Sequence, residues 1–189
     1  SMSQARILVV DDEPFNLDIV AEYLDEMDFD LVMVDSGEAA WETLVNPGPA
    51  FDLVLLDRMM PGLDGIMLLK RMKADERFAS IPVIMQTAAT SPEQIREGLA
   101  AGAFYYLTKP FEGEALQTIM RSALDDLRLR RELTANLVDH AKALACLGEG
   151  EFVVRSLEDA RRLASFVGLL GPQPETLAMG LWELLVNGI

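Results

Sequence analysis

Leu53-Val54-Leu55-Leu56-Asp57 is the stretch that decides the fold. Four apolar residues in a row, bounded by turn signals, read as a short strand buried on both faces, as parallel sheets require. Such a strand delivers Asp57 to its carboxyl end, where open α/β sheets keep their sites. Working outward, the same pattern recurs. Ile7-Leu8-Val9-Val10 runs into Asp11-Asp12, Val83-Ile84-Met85-Gln86 into Thr87, and Phe104-Tyr105-Tyr106-Leu107 is followed by Lys109-Pro110. With 30–34 as a further run, the expected strands are 6–10, 30–34, 52–56, 82–86 and 104–107.

Helical signals fill the gaps. Pro14 opens a helix to Met27, with proline in the first turn where its missing N–H costs nothing. Ser36 reads as the N-cap of a helix to Asn46, and Asn46-Pro47-Gly48-Pro49 breaks it. Pro61-Gly62-Leu63-Asp64-Gly65 is a loop before a helix to Asp75. Ser91-Pro92-Glu93-Gln94 is a capping box, and another helix begins near Glu112. Strands alternating with helices imply βαβ units. The expected fold is α/β: a flavodoxin-like, doubly wound, five-stranded parallel sheet in the order 2-1-3-4-5. A long helix and a small α+β fragment should follow. The expected domains are 1–125, a helical linker at 126–148, and a partial domain at 149–189.

Bulk properties narrow the function. The 189 residues allow one domain with an appendage or two small domains. The net charge of −15 is concentrated in the first 125 residues, which argues against direct contact with nucleic acid. No apolar run approaches the roughly 20 residues of a membrane span. Asp11-Asp12-Glu13 directly after the first apolar run is unlike a signal peptide. Ser1 before Met2 reads as a cloning remnant. Cys146 is the sole cysteine, so no disulfide framework or cysteine zinc site is expected, and a reducing cytoplasm is the expected location.

The strand ends carry the chemistry. Carboxylates at Asp11, Asp12 and Asp57 would hold a hard cation such as Mg2+, which takes one or two carboxylates and keeps several waters. Lys109 would neutralise phosphoryl oxygens, and the Thr87 hydroxyl would hydrogen-bond one of them. The set suits phosphoryl transfer onto Asp57 as a carboxylate nucleophile. A glycine-rich phosphate loop is missing after the first strand, where Val10-Asp11-Asp12-Glu13-Pro14-Phe15 stands, so a nucleotide enzyme is disfavoured.

On these motifs residues 5–125 resemble the receiver domain of two-component response regulators. The resemblance rests on Asp11-Asp12, on Asp57 followed by Met59-Met60-Pro61-Gly62-Leu63-Asp64-Gly65, on Thr87-Ala88, and on Tyr106 three residues before Lys109-Pro110. It implies that Asp57 accepts a phosphoryl group from a histidine kinase or phosphotransfer protein. It implies Mg2+ held by Asp12, Asp57 and the Met59 carbonyl, with Asp11 acting through water. It implies catalytic roles for Lys109 and Thr87, an inward swing of Tyr106 when Thr87 moves, and a cis Lys109–Pro110 bond. Met59 and Ala89 offer no hydrogen bond to an attacking water, and Ala88 leaves room beside Asp57. Tyr105 and Phe104 are read as ordinary core or surface aromatics.

Residues 114–147 contain no proline or glycine. Leu116, Met120, Ala123, Leu127, Thr134, Leu137, Ala141 and Leu144 recur at spacings near 3 and 4, with Arg130 interrupting, a weak a/d pattern. The helix either packs on its own domain or pairs in a homodimer. His140 is read as a surface histidine and Cys146 as a buried hydrophobe. Residues 151–155 look like a strand, Ser156 caps a helix to Leu170, and a last helix runs from Glu175 to Asn187. Met179-Gly180-Leu181-Trp182-Glu183-Leu184-Leu185-Val186-Asn187 resembles the N-box of histidine-kinase and anti-sigma-factor ATPases. That resemblance implies that Glu183 orients water or metal and Asn187 coordinates Mg2+. The glycine-rich boxes of that family do not follow, so this chain is expected neither to bind nor to hydrolyse ATP.

The combined expectation is a response regulator that passes its switch along the long helix to an incomplete ATPase-like output domain. The alternative is a receiver that works as a phosphorylation-dependent binding or dimerisation module. In both readings its partners are a kinase or phosphotransfer protein and a downstream protein target, with no membrane and no direct nucleic-acid contact.

Overall fold

The computed structural model describes residues 4–88, 91–145, 154–168 and 174–187, less the side chains of 141–145, 174–177, 184, 185 and 187. The chain divides into two compact units, Ser1–Arg128 and Leu129–Ile189.

The first unit is built on five strands: β1 (Ala5–Val10), β2 (Phe29–Val34), β3 (Leu53–Asp57), β4 (Val83–Thr87) and β5 (Tyr105–Thr108). They form one sheet in the order β2-β1-β3-β4-β5, with all neighbouring pairs parallel. Between them run α1 (Pro14–Leu24), α2 (Gly37–Val45), α3 (Gly65–Ala74) and α4 (Pro92–Ala100), and α5 (Gly113–Ala145) follows β5. This is the flavodoxin-like fold, with each expected strand within one residue of its observed bounds.

Successive strand residues face opposite sides of the sheet. Leu8, Val10, Val54, Leu56, Val83 and Met85 meet Leu44 of α2 and Ile66, Leu69 and Met72 of α3. Ile7, Val9, Leu53, Leu55 and Ile84 meet Val20 and Leu24 of α1 and Leu116, Met120 and Ala123 of α5. Both faces are covered, which is why the strands read as continuous apolar runs. The helix starts follow their local chemistry. Ser36 Oγ accepts from Ala39 N, Asp64 from Met67 N, and Ser91 and Gln94 form the reciprocal capping box.

The apolar stripe of α5 falls into two parts. Leu116, Met120, Ala123 and Leu127 are buried within the first unit, so the first half of the apparent a/d stripe is that unit's own packing. Beyond it Thr134 and Leu137 are exposed, and among the described side chains the exposed leucines of α5 are Leu129, Leu133 and Leu137. Two residues along a helix turn its face by about 200°, so the apolar stripe changes side between Leu127 and Leu129. Ala141 and Leu144 have no described side chains, and Leu147 and Cys146 lie outside the described residues. His140 is exposed on α5.

In the second unit α6 (Leu157–Gly168) packs on α7 (Pro174–Asn187). Ser156 Oγ accepts from Asp159 N and caps α6. The buried face of α6 is small, Ala160, Ala164 and Gly168, spaced by four. Of the expected strand 151–155, residues 151–153 lie outside the described residues, and Val154 and Arg155 are not in a strand. Among the described residues no helix is long and apolar enough to cross a membrane.

Candidate functional site

The carboxyl ends of β1, β3, β4 and β5 bring the sequence-identified groups to one edge of the sheet. Asp57 is the last residue of β3, Thr87 the last of β4, and Asp11 and Asp12 follow β1 directly. Asp11, Asp12 and Asp57 each offer a carboxylate oxygen within 4.8 Å of the others. Asp11 and Asp57 are buried, whereas Asp12 is not.

Asp11 is held from three sides. Its Oδ1 accepts from Glu13 N at 2.9 Å and Asn16 Nδ2 at 3.3 Å, and its Oδ2 accepts from Lys109 Nζ at 2.7 Å. Lys109 lies 3.6 Å from Asp57 Oδ1, so in this arrangement its main partner is Asp11. Burial pushes the Asp57 carboxyl up to about 6, and the neighbouring Asp11 charge adds to the push. Lys109 and a hydrogen bond from the Met59 amide pull it the other way, and Asp12 raises it again. One ammonium does not balance three carboxylates, and this uncompensated negative charge is what a divalent cation would relieve. Oxygen donors in this number suit Mg2+, which binds through one or two carboxylates and keeps water.

Thr87 is fully buried, and its carbonyl accepts from Lys109 N at 2.8 Å. The Lys109–Pro110 bond is cis, as expected. Tyr106 is buried, with its ring against α4 at Gly98: a Cβ there would lie 2.7 Å from Tyr106 Cε2. Met59 is exposed beside Asp57, Tyr105 is exposed on β5, and Phe104 packs on the α1/α5 face. Ala89 lies outside the described residues.

The structure adds contacts around the site that the sequence reading did not assign. Asn16, in the first turn of α1, donates to Asp11. Gly65 lets α3 start against the β3 end, where a Cβ would lie 2.3 Å from Asp57 O. Arg58 reaches α4 and Tyr106. Gln86, paired in register with Asp57, is fully buried, and its side-chain amide has no hydrogen-bond partner among the described residues. A glutamine closing an apolar strand run was the one available signal. The polar reach of Arg58 depends on neighbours far away in sequence, whereas Asn16 meets Asp11 only five residues back.

Comparison with known proteins decides the family. The response regulator receiver domain profile matches residues 7–121. The chain belongs to this family. The transcriptional regulator RpaA of Synechocystis, described as DNA-binding, is 37% identical over 119 residues, covering 63% of this chain and 48% of RpaA. FixJ of Bradyrhizobium diazoefficiens is 33% identical over 149 residues, covering 79% of this chain and 71% of FixJ. The chain spans about half the length of RpaA and of the Pseudomonas aeruginosa PhoB that it also matches. Among solved structures, Vibrio cholerae chemotaxis protein CheY4 is similar at 29% identity and a TM-score of 0.60, covering 65% of this chain and all of CheY4. The beryllofluoride-activated DrrB receiver domain is similar at 29% identity and a TM-score of 0.58, covering 65% of this chain and 99% of that domain.

The two N-box residues lie on α7. Glu183 is exposed, and Asn187 is the last residue of the helix four positions on, with its side chain outside the described set. The receiver match ends at residue 121 and gives that reading no support.

Proposed function

We propose that Asp57 is a phosphoryl acceptor and that this chain is the receiving partner of a histidine kinase or phosphotransfer protein. The observation that carries this reading is the cluster of Asp11, Asp12 and Asp57 within 4.8 Å, with Lys109 Nζ 3.6 Å from Asp57. Asp57 Oδ attacks the phosphorus of a phosphohistidine, a P–O bond forms, and the P–N bond breaks with the electron pair leaving on the donor imidazole. Lys109 faces the incoming negative charge, and Thr87 stands at the next strand end to hydrogen-bond a phosphoryl oxygen. When bound, Mg2+ neutralises charge on the phosphoryl oxygens; Asp12, Asp57 and the Met59 carbonyl would hold it, with Asp11 acting through water.

Beyond the receiver, residues 126–148 are read as a linker and 149–189 as the start of an ATPase-like output domain with Glu183 and Asn187 in its N-box. Support for this is the spacing of four on one helix and the Ser156-capped α6. A homodimer through α5 would use Leu129, Leu133 and Leu137, which are the exposed leucines of that helix among the described side chains. RpaA's name speaks of DNA, but that match covers under half of RpaA, and the partners proposed here are proteins.

Incubation with acetyl phosphate and Mg2+ tests the reading. One phosphate should be added to the wild type, none to Asp57→Asn, and far less to Asp12→Ala or in the presence of EDTA. Equal labelling of Asp57→Asn would contradict it.

A further inference from the structure

Arg58 is the residue after Asp57, and its backbone is hydrogen-bonded through both its N–H and its carbonyl. Its N–H donates to Gln86 O at 2.9 Å, and its carbonyl accepts from Gly65 N at 3.0 Å. A Cβ at position 65 would lie 2.7 Å from Arg58 Cα, so α3 presses directly on this peptide. Any adjustment of the β3 end that moves Asp57 therefore moves Arg58.

The side chain turns away from the carboxylates, and only 11% of it is exposed. Its guanidinium meets three acceptors. Nη2 donates to Glu97 Oε2 at 2.7 Å, and Nη1 donates to Gln94 O at 3.1 Å and to the Tyr106 hydroxyl at 3.4 Å. Glu97 and Gln94 belong to α4, and Tyr106 belongs to β5. Gly98 completes the arrangement, because only a residue without Cβ lets the Tyr106 ring lie against the helix. A largely desolvated guanidinium is costly unless its donors are paired, and its planar fork can serve several acceptors in fixed geometry where a lysine cannot.

We propose that Arg58 is a positioning residue that ties the β3 end to α4 and holds Tyr106 inward, so that ligation at Asp57 is read out at α4 through this guanidinium. If the Tyr106 hydroxyl left, Arg58 would lose an acceptor; the inward ring is thus favoured before any phosphoryl group arrives. Phosphoryl binding that prefers the inward ring is strengthened by the clamp, and by linkage the clamp is strengthened by the phosphoryl group.

This rests on the Asp57 reading, so the test separates the two. Calorimetry measures beryllofluoride binding with saturating Mg2+ to the full chain, to Arg58→Ala, Arg58→Lys and Tyr106→Phe, and to the Arg58→Ala/Tyr106→Phe double variant. Hydrogen exchange of the α4 amides is measured on the same proteins without ligand. Arg58→Ala should weaken beryllofluoride binding about 3–10-fold, within the usual range of coupling between sites. Tyr106→Phe should weaken it less, and the double variant should be no weaker than Arg58→Ala. Arg58→Lys should recover part of the loss, and α4 should exchange faster in Arg58→Ala. Should Arg58→Ala bind beryllofluoride as the wild type does, with α4 exchange unchanged, the clamp is refuted while the Asp57 assignment stands. Strictly additive losses refute the shared action of Arg58 and Tyr106. Failure of the wild type to bind beryllofluoride overturns the Asp57 reading and this inference together.

Discussion

A carboxyl that is 5% exposed with another carboxylate beside it resists ionisation, and Asp57 is accordingly pushed from 3.8 to about 6. The sign of the consequence follows from linkage. A folded-state value above the ordinary one means that the stabilisation from the protonated form is complete below about pH 4, near the ordinary carboxyl value. It is lost as the pH rises through about 6. A tenfold change in proton affinity is worth about 1.4 kcal/mol, so the loss is on the order of 1–3 kcal/mol. Asp57→Asn removes this titration. Without Mg2+, the variant should melt higher than the wild type at pH 7.5, and the gap should shrink toward pH 4.5. Mg2+ should raise the wild type more than the variant. An identical pH profile for the two proteins would show that Asp57 carries no such strain.

Elements come together here through contacts of very different legibility. Strand positions were readable because a strand covered on both faces must be apolar throughout, and the chain breaks that pattern with Asp11, Asp57 and Thr87 just where each strand ends. α4 shows what was not readable. Glycine in mid-helix costs about 1 kcal/mol against alanine, and the reason for Gly98 is visible only with Tyr106 in place. Gly98→Ala should therefore lower the melting temperature despite its better helix propensity. In a Tyr106→Leu background the same change should become neutral or stabilising. A stabilising Gly98→Ala in the wild type would mean that the ring gives way freely. α5 was ambiguous for a different reason: spacing near 3.5 marks an apolar stripe without saying whether the chain's own sheet or another helix covers it. Leu116 is fully buried and Leu133 is 55% exposed, which separates the two cases. In chemical denaturation, Leu116→Ala should cost about 2–5 kcal/mol. Leu133→Ala should stay within about 0.5 kcal/mol of wild type. Similar costs at both positions would contradict the packing described for α5.

For the whole molecule, the sheet edge and the family point the same way. The receiver profile covers residues 7–121, and the strand ends within that span hold the acidic cluster, Thr87 and Lys109. Residues 129–189 are a separate unit whose role was least legible, because a helix with Glu183 four residues before Asn187 is a common pattern and the chemistry of an N-box needs partners further along a chain. The central claim is therefore an acyl phosphate at one carboxylate. Borohydride reduction tests it most directly, since it converts an aspartyl phosphate to homoserine and marks the position permanently. After treatment with acetyl phosphate and Mg2+, peptide mass spectrometry should find homoserine at position 57 and aspartate at positions 11, 12, 52 and 64. Homoserine at any of those other positions, or none at 57 in protein that has taken up phosphate, would contradict the account.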